Sequence, residues 1–467
     1  MKRIMLSVFA AAITAAWAVP SSAADVTFGG QYRLRGEYRN NADFNKNVND
    51  HTDSWGQRVR LTANAKATDD VSVKITLQDT RTWGAATSAA GGPNLTDDGT
   101  SNVTDLHESY VNVDNLLGAP VSFRAGRQEL AYGDERLIGT FGWSNNGRSF
   151  DALKFMVTTD VANVDLFASK LADNGTTNTD QDFYGIYATV KAIPNNTLDL
   201  YALAVRNGSQ TAANPLGFGT VIGANGFLGN TPVTSATAVP DEAQHLYTLG
   251  ARLKGAVAGL DYTLEVPFQT GDVNTKGTDF NISSYAYAAK VGYTLPTPVK
   301  VRIGAEYDFA SGDKDAGTAA TPNDKIKTFF NLFPTNHDKL GNMDLQAWRN
   351  VKAWTVNASA DVTEKVRLYA AYWNFKLAEK EDAWYGAANW NNTPTGVRGA
   401  RAANSKDDLG SEVDVVATYK YNNALTAEVG YSRFFTGDFV DDYFTTTAAT
   451  EDKEDQDWAY LQITANF

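Results

Sequence analysis

The sequence predicts an all-β protein: a closed antiparallel transmembrane β-barrel of about 18 strands, with short periplasmic turns and long extracellular loops. Apolar residues recur at every second position in segment after segment, the period of a strand with one face in an apolar medium. The connections between these segments alternate between short turns and long polar stretches, as in outer-membrane barrels. Beyond the N-terminus no apolar run reaches the length of a membrane-spanning helix, and the mean hydropathy is -0.34.

The first element is an address. Met1-Lys2-Arg3 gives a basic start, Ile4 to Val19 is apolar, and Pro20-Ser21-Ser22-Ala23-Ala24 supplies small residues before Asp25. That order predicts a signal peptide over 1–24, leaving 25–467 as one barrel domain in a Gram-negative outer membrane. Losing Lys2 and Arg3 takes the formal charge from -13 to -15.

The strands follow. Phe28, Tyr32, Leu34 and Tyr38 share one face of the first, and Arg33, Arg35, Glu37 and Arg39 share the other. Val59 to Ala65 and Val71 to Leu77 flank the turn Thr68-Asp69-Asp70. Ser109 to Val113 and Val121 to Ala125 come next, then Leu153 to Val157 with Val164 to Ala168, and Tyr184 to Val190 with Leu198 to Ala204. Tyr247 to Leu253 pairs with Leu260 to Phe268, and Tyr285 to Tyr293 with Val299 to Phe309. The last are Trp354 to Ala360, Val366 to Tyr372, Val413 to Tyr419, Leu425 to Tyr431 and Ala459 to Phe467.

Long connections fall near 40–53, 84–105, 131–148, 172–181, 207–243, 271–281, 311–347, 376–408 and 436–456. An even strand count and closure leave no unpaired edge in lipid. The terminal Phe467 suits recognition by the barrel-assembly machinery. A secreted sandwich or propeller is the competing fold. Outward Ala63, Ala65, Ala417 and Ala427 suit a lipid face better than an inter-sheet core, and no blade-length repeat is present.

If the apolar positions face lipid and lipopolysaccharide, their alternates face the lumen. Those include Arg33, Arg35, Arg39, Arg58, Arg60, Lys74, Arg124, Lys154, Arg252, Arg302 and Arg367, against Glu37, Asp165, Asp199, Asp261, Glu265, Glu306, Asp308, Glu412 and Asp414. Arg33 and Arg35 neighbour Arg58 and Arg60 on the next strand, so water, wall acids or a passing anion must compensate their repulsion. A pore lined this way attracts anions. The competing reading is solvated filling, with arginines neutralised by wall acids.

Eighteen strands enclose an aqueous channel, which an inward loop must narrow. Gly126 to Gly139 breaks the alternation and mixes charges with apolar anchors. Folded inward, it would pack Leu137, Ile138 and Trp143 and set Arg127, Arg136 and Arg148 toward the path.

These residues carry a resemblance. Gly126-Arg127-Gln128-Glu129-Leu130 with Tyr132-Gly133-Asp134, Arg136-Leu137-Ile138-Gly139, Trp143-Ser144-Asn145 and Arg148 with Phe150-Asp151 resembles the alginate-export porin family. Phe330-Asn331-Leu332-Phe333-Pro334-Thr335-Asn336-His337 and Gly430-Tyr431-Ser432-Arg433-Phe434-Phe435-Thr436-Gly437-Asp438 agree with it. The resemblance implies an eighteen-strand barrel whose arginine-rich constriction passes an anionic polysaccharide. Arg127, Arg136 and Arg148 carry over as motif matches.

Chemistry of bond-breaking is not indicated. With 0 Cys and 4 His there is little to build it from. His107-Glu108-Ser109 are strand neighbours, which face opposite sides. Asp313-Lys314-Asp315-Ala316-Gly317 lacks the closing glutamate of a calcium loop. No cofactor or metal is expected. The acidic pI of about 4.9 argues against nucleic acid. The expected partners are an anionic solute or alginate-like polysaccharide and the membrane itself. Alternatives are a barrel sheathing a redox or secretion partner from the periplasm, a loop-based receptor, and a general diffusion porin without anion preference.

Overall fold

The computed structural model describes residues 25–84, 103–173, 180–208, 243–275, 278–314, 325–386, 406–446 and 452–467. The expected signal peptide and much of the loops at 84–105, 207–243 and 376–408 lie outside the described residues.

The described chain is a barrel wall. Its strands are β1 (Asp25–Asn40), β2 (Thr52–Lys66), β3 (Val71–Thr82), β4 (Val103–Val113), β5 (Val121–Gln128), β6 (Phe150–Thr158), β7 (Ala162–Ala172), β8 (Gln181–Val190), β9 (Asn196–Asn207), β10 (Gln244–Val257), β11 (Leu260–Thr275), β12 (Thr278–Thr294) and β13 (Lys300–Ala310). After the two-residue β14 (Lys325–Ile326) come β15 (Val351–Asp361), β16 (Val366–Leu377), β17 (Asp408–Lys420), β18 (Leu425–Thr436) and β19 (Gln456–Asn466). Neighbours pair antiparallel, and β1 pairs with both β2 and β19, which closes the sheet. β14 pairs parallel to β12 and is not part of the wall. The eighteen predicted strands are all present, and the wall is a closed 18-strand barrel.

Closure depends on one close approach. Gly30 and Phe467 exchange backbone hydrogen bonds at 2.7 and 3.1 Å. A Cβ at Gly30 would meet the Phe467 ring and the Arg60 backbone carbonyl of β2, each at 2.6 Å, so a side chain there would have to displace both.

The outer face carries the lipid belt. Leu249 and Ile303 are each 54% exposed, and Leu153, Ile186, Val356 and Val429 are also about half exposed. Apolar exposure on this scale is stable in lipid and not in water.

Three features depart from the sequence reading. The long loop expected at 271–281 is instead a continuation of β11 and β12, registered as far as Thr275 opposite Thr278. Above the lipid belt a ladder needs no apolar face, so polar residues there do not signal a loop. Between β3 and β4 the register shifts at Thr76 and Leu77, which pair with Glu108 and Leu106 and leave His107 as the extra residue, so both His107 and Glu108 are buried. A bulge breaks the rule that neighbours face opposite sides. Finally, the connection at 436–456 holds a helix, α1 (Asp438–Thr446), with Asp438 and Asp441 in its first turn, where they complement its dipole.

The buried core is inside the barrel. Leu130, Leu137, Ile138, Phe329, Phe330, Phe333, Leu345 and Trp348 come from connecting segments. They pack with wall residues Phe150, Phe167, Phe183 and Phe375. Among the described residues, the connections after β5 and before β15 have turned inward to fill part of the lumen. Phe44, Trp384 and Phe439 from three further connections join the same core.

Candidate functional site

The first inward loop joins β5 to β6 and spans residues 129–149. His107 secures both its ends: Nε2 lies 2.7 Å from Glu129 Oε1 and Nδ1 lies 3.3 Å from Ser149 Oγ. The second inward segment precedes β15. Ile138 and Phe333 form a parallel bridge between the two. Arg148 donates to the carbonyls of Phe333 at 2.5 Å, Pro334 at 2.8 Å and Gly139 at 3.2 Å. Its burial pushes the guanidinium down to about 10.

The arginine wall is present, and its partners are specific. Arg33 and Arg58 are registered partners across β1 and β2. Arg33 donates to Gly142 O at 2.8 Å, Ser144 O at 2.9 Å and Asn145 Oδ1 at 2.9 Å. Arg58 donates to Gly142 O and Ser144 O at 3.1 and 3.0 Å, and to Gln31 Oε1 at 2.7 Å. Arg35 donates to Trp143 O at 2.7 Å and to Glu37 at 2.6 Å. Arg60 donates to Gln78 at 2.8 Å and lies 3.5 Å from Glu129. Loop carbonyls thus supply the compensation that the sequence required from water, acids or an anion. A guanidinium fork suits this, because it holds several acceptors in fixed directions.

Trp143 is the wedge of the loop. The Arg35 guanidinium lies 3.9 Å from its ring and His337 stacks at 3.7 Å with a 7° tilt. Two groups this close cannot share one face, so they sandwich it. Tyr460 meets the ring edge at 5.0 Å, and Asp344 holds His337 Nδ1 at 3.1 Å.

The remaining arginines separate. Arg136 is buried between Glu306 and Asp308, the latter at 2.9 Å, and fixes the loop to β13. Asp134 bridges to Arg252 and to Lys290 at 3.5 Å. Burial works against the Asp134 carboxylate, but Lys290 and Arg252 overcome it and hold it down at about 2. Arg124 lies opposite Lys154 and stacks 4.3 Å from the Tyr110 ring. Arg302 grips Asp261 through two bonds of 2.8 and 2.6 Å, and Arg367 meets Asp361 at 3.2 Å.

Arg127 is a correction. It has the strand parity of Phe123 and Ala125, the outward set, and pairs with Asp151 at 3.3 Å across β5 and β6. The motif reading turned it inward, and the alternation already pointed it out.

Two adjoining cavities of about 500 and 630 Å³ remain in the lumen. Both touch Trp143, His337, Asp338, Lys339 and Gln462. Arg33, Asp134 and Glu135 line the first; Lys290, Arg302, Glu306, Arg367, Tyr369, Glu428 and Tyr460 line the second. Bases and acids are evenly matched around this path. Lys290 was missed, although the alternation of Tyr285 to Tyr293 puts it inward. Lys339 sits on an inward segment, where no period could reveal it.

Comparison with known proteins agrees with this fold. Over 95% of its length the chain is similar to the Pseudomonas aeruginosa protein OprD, covering 95% of that chain at 11% identity and a TM-score of 0.55. OpdO of the same organism matches at 12% identity and 0.55, with 95% and 97% covered. OccK8 (OprE) matches at 13% and 0.54, with 95% and 98% covered. At such identities the likeness is one of fold. No curated protein matches the chain. The family described as "Alginate export" matches residues 24–450. Its fold and family are those of transport channels of the outer membrane, and the chain belongs to the alginate-export family.

Proposed function

We propose that this channel passes anionic, hydroxyl-rich solutes of the uronate class, along the path lined by Lys290, Arg302, Lys339 and Arg367. The observation that carries the reading is the mixed character of that path. Its cations face acids and neutral acceptors, with Asn342, Asn357, Thr418, Tyr369, Tyr460 and Gln462 among them. A sugar acid presents a carboxylate to the bases and hydroxyls to the acids and amides, and so satisfies both. A simple inorganic anion satisfies only the first. Family membership supports the same solute class.

Arg33, Arg35, Arg58 and Arg60 serve this function through the loop they hold, and Arg33 also touches the path. The even match of bases and acids favours, as the second reading, a general diffusion porin with little ion preference. A partner-sheathing barrel needs an open lumen, and the two inward loops occupy this one.

The test is single-channel recording of refolded protein in a salt gradient, with and without oligouronate. The expected result is weak anion preference with current blocked by the oligomer. Lys290→Gln with Lys339→Gln should weaken the block roughly tenfold, about 1.4 kcal/mol. An open channel indifferent to the oligomer would leave the general porin. A folded barrel that passes no current would remove the channel reading.

A further inference from the structure

On the outer wall one cross-strand row runs unbroken from β5 to β10. Arg127, Asp151, Lys170, Asp182, Arg206 and His245 are each the registered partner of the next. Cation and carboxylate alternate along it as far as Arg206, with Lys170 at 2.6 Å from Asp182 and 2.9 Å from Asp180, and Arg206 at 3.4 Å from Asp182. All six have the outward parity of their strands. The row stands where β5, β7 and β9 enter their long loops, which is the extracellular edge of the lipid belt.

Directly below it the wall is hollowed. Along β9 the outward residues are Ala202 and Ala204, then Arg206. Ala204 is registered between Tyr184 and Tyr247, and Ala202 between Ile186 and Leu249. A floor of methyl groups between tall side chains leaves an apolar trough of about 480 Å³. It crosses the wall from Leu153 and Phe155 on β6 to Tyr247 and Leu249 on β10, and at Ala204 it lies two residues below Arg206 on β9.

An apolar trough alone accepts any lipid tail, and a charged row alone can pair within itself. Together they describe an amphiphile with its tail in the trough and its charged head at the row. Strands lie about 4.8 Å apart, so cations on alternate strands are about 10 Å apart. That spacing suits a broad headgroup with two phosphates. The intervening carboxylates suit the divalent cations that such phosphates carry. We propose that β5–β10 form a binding site for one phosphorylated glycolipid of the outer leaflet, held at Lys170 and Arg206 with one acyl chain over Ala202 and Ala204. The site is independent of what crosses the lumen.

The experiment is native mass spectrometry of the delipidated barrel with bisphosphorylated lipid A, its dephosphorylated form, or phosphatidylglycerol. One equivalent of the bisphosphorylated lipid should be retained, roughly tenfold more tightly than either other lipid. Ala204→Leu fills the trough and should cost roughly tenfold in retention, while Ala417→Leu on the far wall should cost nothing. Lys170→Gln with Arg206→Gln should abolish the preference for phosphate and leave tail binding. Equal retention of the three lipids, retention unaffected by Ala204→Leu, or a dimer in place of the lipid adduct would each overturn the proposal.

Discussion

The arginine clamp on the first inward loop makes a prediction about redundancy. Gly142 O and Ser144 O each accept one hydrogen bond from Arg33 and another from Arg58. Arg58→Met therefore leaves both carbonyls with a donor, and it relieves the repulsion between two guanidinium groups. The two effects oppose, so the single substitution should change loop docking by less than about 1 kcal/mol. Arg33→Met should behave alike, with a small added loss from Asn145. The double substitution strips both half-buried carbonyls at up to about 1–3 kcal/mol each, or up to about 2–6 kcal/mol in sum. The double substitution should then cost more than the two singles together, with an interaction energy between the two sites of up to about 6 kcal/mol.

The chain contains 0 Cys, so Ser144→Cys gives a unique probe of the loop. Its maleimide labelling rate should be nearly unchanged in either single variant. In the double variant it should rise by roughly 30-fold or more, which is what 2 kcal/mol gives. Single-channel conductance should step up in the same variant. If Arg58→Met alone exposes the loop as much as the double variant, the shared-acceptor argument is wrong. If the double variant labels no faster than wild type, the loop is held by other contacts and the arginines serve only the field.

Arg136→Met should destabilise the barrel by about 3–5 kcal/mol, because Asp308 is left buried without its ion-pair partner and Glu306 keeps only Lys290 at 3.4 Å. Chemical denaturation followed by tryptophan fluorescence checks this, and adding Asp308→Asn should restore part of the loss. Gly341 has a φ of +82, and a methyl there would meet the Glu412 carboxylate at 2.6 Å. Gly341→Ala should cost about 1–2 kcal/mol from the left-handed backbone alone, read as a lower urea midpoint. Asp134, depressed to about 2 from 3.8, contributes about 2 kcal/mol that is fully present above pH 4. That part should be lost as pH falls from 4 to 2, measured as loop labelling. An identical acid profile in Asp134→Asn would refute it.

The wall was legible because lipid imposes a strict period: every second residue of each strand, such as Leu249 on β10 or Ile303 on β13, must be apolar or small wherever the strand is in the bilayer. Where lipid ends, the period carries no information, so the hairpin across Thr275 and Thr278 read as a loop. The interior was less legible for the opposite reason. Phe183 and Tyr184 are both apolar neighbours on β8, one facing lipid and the other fully buried. A packed inner face means a loop has covered it, but the sequence cannot say which. Alternation found Arg33 and Arg58 on one wall, yet their acceptors are backbone carbonyls of residues 142–144, and a carbonyl has no signature in the sequence.

Those carbonyls also change what an arginine-rich lumen means. A guanidinium that faces open water raises the local potential for any passing anion. One that donates to two carbonyls, as Arg33 and Arg58 do, keeps its charge but holds it at fixed positions behind the loop. Selectivity then depends less on how many arginines the wall carries than on which cations remain beside the cavity. Lys290 and Lys339 are such groups, and their ion pairs are with acids that line the same path. A carboxylate-bearing sugar can exchange with those acids one for one, whereas the clamp arginines would have to release the loop first. On the proposed reading, the clamp arginines Arg33 and Arg58 set the width of the channel through the loop they hold, and Lys290, Lys339, Arg302, Arg367 and the acids beside them set what it recognises.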